Sequence, residues 1–259
     1  MAALRQAIAD VVAEDPPMTV RQVFYQLVAR GVIEKTEDAY QHTIIKQMTN
    51  MRLDGSLPFD SVIDETRRVR VTQTFRNIED AIEQTADFYR RSALAESDCY
   101  LEIWCEKDAL AGVMWDVVSD YDVPLLVSRG MPSLTFLYGS ACAIKRAAEQ
   151  DKSTYIYQFG DHDPSGVLIP QVIKRRLDEL CERLDCPPPY VERVALTEEQ
   201  IEEFAGDSVE LDALPPRDLR AMVTTVIESH ISAAKTALLR IAEDSERELL
   251  RTWRPGEAP

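Results

Sequence analysis

The sequence has few basic residues, 29 Lys and Arg against 45 Asp and Glu, and a formal net charge of −16. That deficit argues against a protein that wraps nucleic acid over its whole surface, while leaving room for a local basic patch. The chain has no N-terminal apolar segment of the secretory kind and no run of about 18 apolar residues, so neither secretion nor membrane insertion is expected. The five cysteines are odd in number, form no C-x-x-C pair, and in three cases sit inside apolar runs. They read as reduced core residues of a cytoplasmic protein rather than a disulfide or zinc framework. Neither a P-loop nor a Gly-rich ATP-lid motif occurs, which removes the usual means of holding a nucleotide triphosphate. Repeats and low-complexity segments are also missing.

What is present divides into two parts of different character. Residues 1–93 carry twelve basic and fourteen acidic side chains, whereas the remainder carries seventeen and thirty-one. Within the first part, Thr66 to Ile78 contains Arg67, Arg68, Arg70 and Arg76 and no acid. Helical patterning over residues 2–14 ends at Pro16-Pro17. Thr19-Val-Arg-Gln22 then fits a capping box that opens a second helix through Ala29, stopped by Gly31. A third helix is expected over about Asp38 to Arg52, followed by short β-branched pieces from Leu57 to Val71. Three short helices and a small hairpin is the order of a winged helix, a form of helix-turn-helix.

After residue 97 the period changes. Strand-like runs at Cys99–Cys105, Pro124–Ser128, Thr154–Phe159 and Tyr190–Ala195 alternate with helical stretches, which predicts βα units and a mainly parallel sheet covered on both faces. The fold class is therefore α/β, with an N-terminal winged-helix domain at 1–70, a helical connector at 71–96, a sheet domain at 97–242 and a charged, frayed tail at 243–259.

Two groups of residues could carry chemistry. In FGDHDPSG, Asp161 and Asp163 follow a buried strand, and residues two apart in extended chain share a face. Carboxylates so close repel unless a cation lies between them, and hard oxygen ligands favour Mg²⁺ or Mn²⁺. A calcium EF-hand loop matches at positions 1, 3, 5 and 6 but fits poorly, because its twelfth position is Val172 rather than a bidentate Glu and Pro164 lies within it. Glu106 ends the Cys99–Cys105 strand and would lie at the same sheet edge. Equally, the aspartates could cap a turn and Glu106 could face a helix dipole; His162 reads as a spectator. On the second helix, Val20, Val23, Phe24, Leu27 and Val28 form the buried stripe, and Tyr25 lies roughly 120° from its centre beside Arg21. A phenol next to a guanidinium is a candidate nucleophile, since the cation favours phenolate and contacts phosphate. A partly exposed tyrosine packing on its helix is the plainer alternative.

Taken in order, TVRQVFYQLV, EIWCEKDAL, SRGMPSLTF, FGDHDPSG and VELDALPP resemble the tyrosine motif, the Glu-Lys motif, the Gly-x-Pro loop, the Asp-x-Asp motif and a later Glu-Leu-Ala segment of one family. That family is the type IIB DNA topoisomerase (topoisomerase VI) A subunits and the related meiotic double-strand-break transesterases, and the length suits its compact Mini-A members. The resemblance runs from about residue 17 to 225. It implies a toprim domain at 97–242, Tyr25 attacking a DNA phosphodiester to form a 5′-phosphotyrosyl bond, and Arg21 stabilising the transition state. It further implies Mg²⁺ (or Mn²⁺) on Glu106, Asp161 and Asp163, and Arg67, Arg68 and Arg70 on the phosphates of double-stranded DNA. A homodimer in which the tyrosine of one protomer serves the metal of the other, a nucleoid-associated cytoplasmic location, and a separate ATPase B-type subunit for any strand passage also follow. The arginines could instead pair with Asp64, Glu65 and the acidic second part. A toprim nuclease using metal-bound water and a non-catalytic DNA-binding or assembly subunit are the rival functions.

Overall fold

A computed structural model describes residues 2–63, 72–163, 166, 168–197, 200 and 210–253. Helix α1 (Ala2–Glu14) buries Ile8, Val11 and Val12. Strand β1 (Met18–Thr19) leads into α2 (Val20–Ala29), whose capping box forms as the spacing predicts. The Thr19 hydroxyl accepts from the Gln22 amide at 3.1 Å, and the Gln22 side chain accepts from the Thr19 amide at 2.9 Å. Gly31 ends the helix in a left-handed conformation, φ +67°, which a side chain rarely adopts. The third helix differs from expectation at its start. Ala39–Ile44 is π-helical, and regular α3 spans only Ile45–Leu53.

Strand β2 (Val62–Ile63) pairs parallel with β1, Met18 opposite Val62 and Thr19 opposite Ile63. The expected hairpin is therefore not formed among the described residues, and most of the segment that would carry it, residues 64–71, lies outside them. Arg67, Arg68 and Arg70 fall in the same segment. The connector is helical over α4 (Ile78–Phe88) only, capped by the Asn77 side chain, which accepts from the Asp80 amide.

The second part is α/β. Strands β3 (Cys99–Cys105), β4 (Leu125–Val127), β5 (Ser153–Phe159) and β6 (Tyr190–Ala195) form a parallel sheet in the order β4-β3-β5-β6. Helices α5 (Ala111–Val118), α6 (Leu134–Ala148) and α7 (Leu168–Arg183) make the crossovers, and α8 (Pro216–Glu228) and α9 (Ala233–Thr252) follow. β3 explains why its sequence runs apolar rather than alternating. Leu101, Ile103 and Cys105 pack with α5 and α8, while Trp104 packs on the opposite face against α6 and α7. Burying a side chain such as Leu101 or Ile103 stabilises the fold by about 1.5–3 kcal/mol. Glu102, on the Trp104 face, is buried yet satisfied by the Tyr100 hydroxyl (3.1 Å), the Trp104 indole (2.8 Å) and the Ser140 hydroxyl (2.7 Å).

The order of connections matters for function. The chain leaves β3 toward α5 on one face and leaves the adjacent β5 toward α7 on the other. Neighbouring parallel strands whose outgoing loops diverge to opposite faces open a crevice at their carboxyl ends, the usual binding position in such sheets.

The charged C-terminal stretch does not fray from residue 243, as composition suggested. Helix α9 continues to Thr252 against α4, and Glu243 is only 1% exposed. Its carboxylate accepts from the Arg91 amide at 3.0 Å, pairs with Arg247 at 2.7 Å and contacts Arg240. Charge here marks a buried ion-pair network binding the connector to the sheet domain, which composition cannot distinguish from a solvated tail. The first part is docked on the second by Asp15, which pairs with Arg220 at 2.8 Å and accepts the Arg217 amide. Arg220 also donates to the Pro17 carbonyl at 3.0 Å. Among the described residues no helix is long and apolar enough to cross a membrane.

A candidate active site at the sheet crevice

The acids predicted from sequence lie at the crevice. Glu106 follows β3 and its amide donates to the Phe159 carbonyl at 2.9 Å, so the ends of β3 and β5 are tied together. Its Oε2 accepts the Asp161 amide at 3.1 Å. Gly160 permits this approach: a Cβ there would stand 2.5 Å from Glu106 Oε2 and 2.4 Å from Gln158 Nε2. Gly166 is equally constrained, since its Cβ would meet the Asp161 carbonyl oxygen at 2.0 Å. Asp163 Oδ1 accepts the Gly166 amide at 2.5 Å, so one oxygen of this residue performs the turn-capping role set out as the alternative. Asp161 accepts the Leu211 amide on Oδ1 at 2.7 Å and faces Lys107 Nζ with Oδ2 at 3.1 Å.

Glu106 is pushed above its ordinary value, first by burial and then by the charges of Asp161 and Asp163. Glu106, Asp161 and Asp163 are hard-oxygen side chains of the kind Mg²⁺ or Mn²⁺ takes. Among the described residues no three His, Cys, Asp or Glu side chains are grouped closely enough to hold a metal ion, and Lys107 supplies positive charge beside Asp161 in this arrangement. His162 keeps a buried Nδ1 without a hydrogen-bond partner.

Four residues that sequence reasoning did not single out organise the site. Lys107 reaches Asp212 at 2.6 Å and Glu210 at 2.9 Å besides Asp161. Burial would lower its pKa, yet Asp212, Asp161 and Glu210 together raise it. Asp212 is fully buried and raised by that burial, with Lys107 offsetting part of the shift. Arg193, on β6, donates to the carbonyls of Gly166 (2.6 Å), Leu196 (2.8 Å), Gly160 (3.1 Å) and Asp161 (2.5 Å), and thereby holds the backbone that carries the aspartates. The EIWCEKDAL and VELDALPP stretches held Lys107, Glu210 and Asp212 in view. Their roles depend on chain-distant pairing that no local period encodes.

Tyr25 is brought to the same place. Glu210 connects its neighbourhood to the crevice: the Glu210 charge acts on the Tyr25 phenol, and Lys107 reaches Glu210 at 2.9 Å and Asp161 at 3.1 Å. Arg21 lies 3.8 Å from Glu210, and Lys35 stands 5.1 Å over the Tyr25 ring. Two expectations are corrected. Tyr25 is 8% exposed rather than at the polar margin of α2, because it joins the hydrophobic core of the first part and Phe24 packs edge-on at 5.5 Å. Its pKa is raised, not lowered: burial comes first, then the Glu210 hydrogen bond and charge, and these outweigh Arg21 and Lys107.

Comparison with known proteins finds no family model, no curated protein and no solved structure that matches the chain.

Proposed function

We propose that the chain is a DNA-cleaving transesterase of the type IIB topoisomerase A kind, with a winged-helix-like first domain carrying the nucleophile and a toprim-like second domain carrying the acids. The observation that supports this most directly is that Arg21 on α2 and Asp161 at the crevice meet through the Glu210–Lys107 pair: Arg21 lies 3.8 Å from Glu210, and Lys107 reaches Glu210 at 2.9 Å and Asp161 at 3.1 Å. Tyr25, one turn beyond Arg21 on the same helix, is thereby carried toward the crevice where a phosphate would bind. Tyr25 attacks a backbone phosphorus, the bond to the 3′-oxygen breaks, and the 5′-phosphate remains on the tyrosine. Arg21, paired loosely with Glu210, is free to turn toward the charge that develops on the phosphoryl oxygens. Glu106, Asp161 and Asp163 would hold Mg²⁺ or Mn²⁺, which when bound supplies charge neutralisation at the phosphate and the leaving oxygen. Arg67, Arg68 and Arg70 contact duplex phosphates, two chains act on the two strands as a homodimer, and any ATP-driven step uses a separate B-type subunit.

One observation favours a second reading. A buried, protonated Tyr25 is what a packing residue looks like, and in a metal-dependent nuclease water would take its place as nucleophile. Incubation with supercoiled DNA and Mg²⁺ or Mn²⁺, stopped with denaturant, separates the two. The transesterase traps protein on DNA in the wild type and neither in Tyr25→Phe nor in Asp161→Asn. Cleavage by Tyr25→Phe that leaves free 5′-phosphates establishes the nuclease instead.

A further inference from the structure

Two cations from different parts of the chain meet on one carboxylate. Glu210 Oε2 lies 2.9 Å from Nζ of Lys107, just beyond β3, and 3.8 Å from Nη2 of Arg21, on α2. We propose that Arg21 and Lys107 form an oxyanion site for a DNA phosphodiester, and that Glu210 fills this site in the unliganded protein until a phosphate displaces it. This rests on the transesterase reading above and adds to it the state of the site before DNA arrives.

Three features of the site support the assignment. First, the occupant matches the ligand in chemistry. A carboxylate and a phosphodiester each spread one negative charge over two oxygens, and guanidinium and ammonium groups bind both. The two nitrogens stand no further apart than their contacts to one shared oxygen laid end to end, so a single phosphate can bridge them as well. Second, the Glu210 contacts are the exchangeable ones. Lys107 is anchored independently by the fully buried Asp212 at 2.6 Å and by Asp161 at 3.1 Å, so it keeps its place and its charge when Glu210 leaves. The Glu210 side chain is 31% exposed, and its pair with Arg21 is too long for a hydrogen bond. Ion pairs of that kind, open to solvent, contribute little stability. Third, Arg21 has support of its own, since its guanidinium lies 5.6 Å over the Tyr40 ring. It sits one turn before Tyr25, over whose ring Lys35 stands at 5.1 Å, so a phosphate in this place has a third cation nearby.

The exchange makes binding selective. Asp161, Glu210 and Asp212 all stand on the one Lys107 charge, so a small free anion meets a carboxylate already in place and an excess of negative charge around it. A phosphate within a duplex arrives differently, because contacts elsewhere along the duplex hold it at high local concentration. That concentration is what ejects Glu210. The ejected carboxylate turns to solvent, which its partial exposure permits, and Arg21 turns from it to the phosphate. No covalent bond is made or broken in this step, and the carboxylate returns when the DNA departs.

The test measures the affinity of a fluorescein-labelled DNA duplex by anisotropy, in EDTA and without divalent metal, for wild type, Glu210→Gln, Arg21→Gln and the double variant. Glu179→Gln, which makes the same charge change at an exposed position of α7, is the control. Glu210→Gln should bind about 3–10-fold more tightly than wild type, since the competitor for Arg21 and Lys107 is gone. Arg21→Gln should bind more weakly, and in its background the gain from Glu210→Gln should shrink below about twofold, because the two residues touch. Glu179→Gln should match the wild type. A second readout needs no duplex. In ¹⁵N NMR of arginine side chains, with Arg21→Gln for assignment, the Arg21 resonance should move on titration with a dinucleotide phosphodiester and half-saturate at lower concentration in Glu210→Gln. A gain that is absent, that Glu179→Gln reproduces, or that persists undiminished in the Arg21→Gln background overturns the role given to Glu210. A wild type that forms no Tyr25-dependent adduct under denaturant trapping, with the gain present, removes the transesterase reading and leaves the oxyanion site standing.

Discussion

Lys107 places its ammonium 2.6 Å from the carboxylate of Asp212, a side chain with no exposure to solvent, and the same nitrogen reaches Glu210 and Asp161. One cation thus bridges three acids at the crevice, one of them fully buried. A buried pair of this kind is weak evidence for stability as a whole, but removing one partner leaves the other charge buried alone.

Lys107→Met is accordingly expected to cost about 3–5 kcal/mol of unfolding free energy. Adding Asp212→Asn should recover part of that loss, since the two residues touch and their effects cannot add. Urea denaturation of the two single variants and the double variant measures the coupling. Strict additivity would show that the pair is not energetically linked.

Glu102 should give the fold a pH dependence. Burial raises its pKa above the ordinary carboxylate range, and the donors Ser140, Trp104 and Tyr100 only partly oppose this. A carboxyl whose folded pKa is raised contributes stability that is complete below the unfolded value and is lost as pH rises through the folded one. On going from acid to alkaline pH, wild-type stability should therefore fall by an amount that Glu102→Gln removes. Chemical denaturation of both proteins at the two ends checks it. Equal pH slopes would contradict the assignment.

Much of the frame was legible in sequence because local rules and tertiary environment agree there. The Thr19 capping box and the unbroken apolar run of β3 are two such cases, the second because both faces of that strand are covered. Tyr25 was misplaced for a physical reason. A helical wheel marks the stripe of α2 with the most apolar residues, and it holds no information about the neighbouring elements that close over the Tyr25 side as part of the same core. The Glu243 network escaped for the same reason, since a buried arginine cluster and a solvated tail have the same composition.

Gly160→Ala tests whether the close approach of β5 to Glu106 matters for the acids rather than for folding. The added carbon would lie within 2.5 Å of Glu106 Oε2, so the carboxylate must move. Crowding of this order costs about 1–3 kcal/mol. The expected signature is weakened Mn²⁺ binding by calorimetry with the protein still folded. Unchanged Mn²⁺ affinity would show that Glu106 is not a ligand.

The helix that replaces the expected tail also makes a prediction. Glu243→Ala removes the acceptor of the Arg91 amide and the counter-charge of Arg240 and Arg247, and should destabilise by about 1–3 kcal/mol. Hydrogen exchange of α4 and α9 should accelerate in that variant while β3 and β5 keep most of their protection. Loss confined to neither helix would contradict the proposed docking of connector and C-terminal helix.

On the proposed mechanism the Tyr25 oxygen forms the covalent bond to DNA. Denaturant-trapped complexes, digested with nuclease and protease, can be read by tandem mass spectrometry of the peptide that contains Tyr25. The account predicts a phosphonucleotide on Tyr25, absent in Asp161→Asn. Cleaved DNA without any such adduct, or an adduct on a different residue, would contradict it.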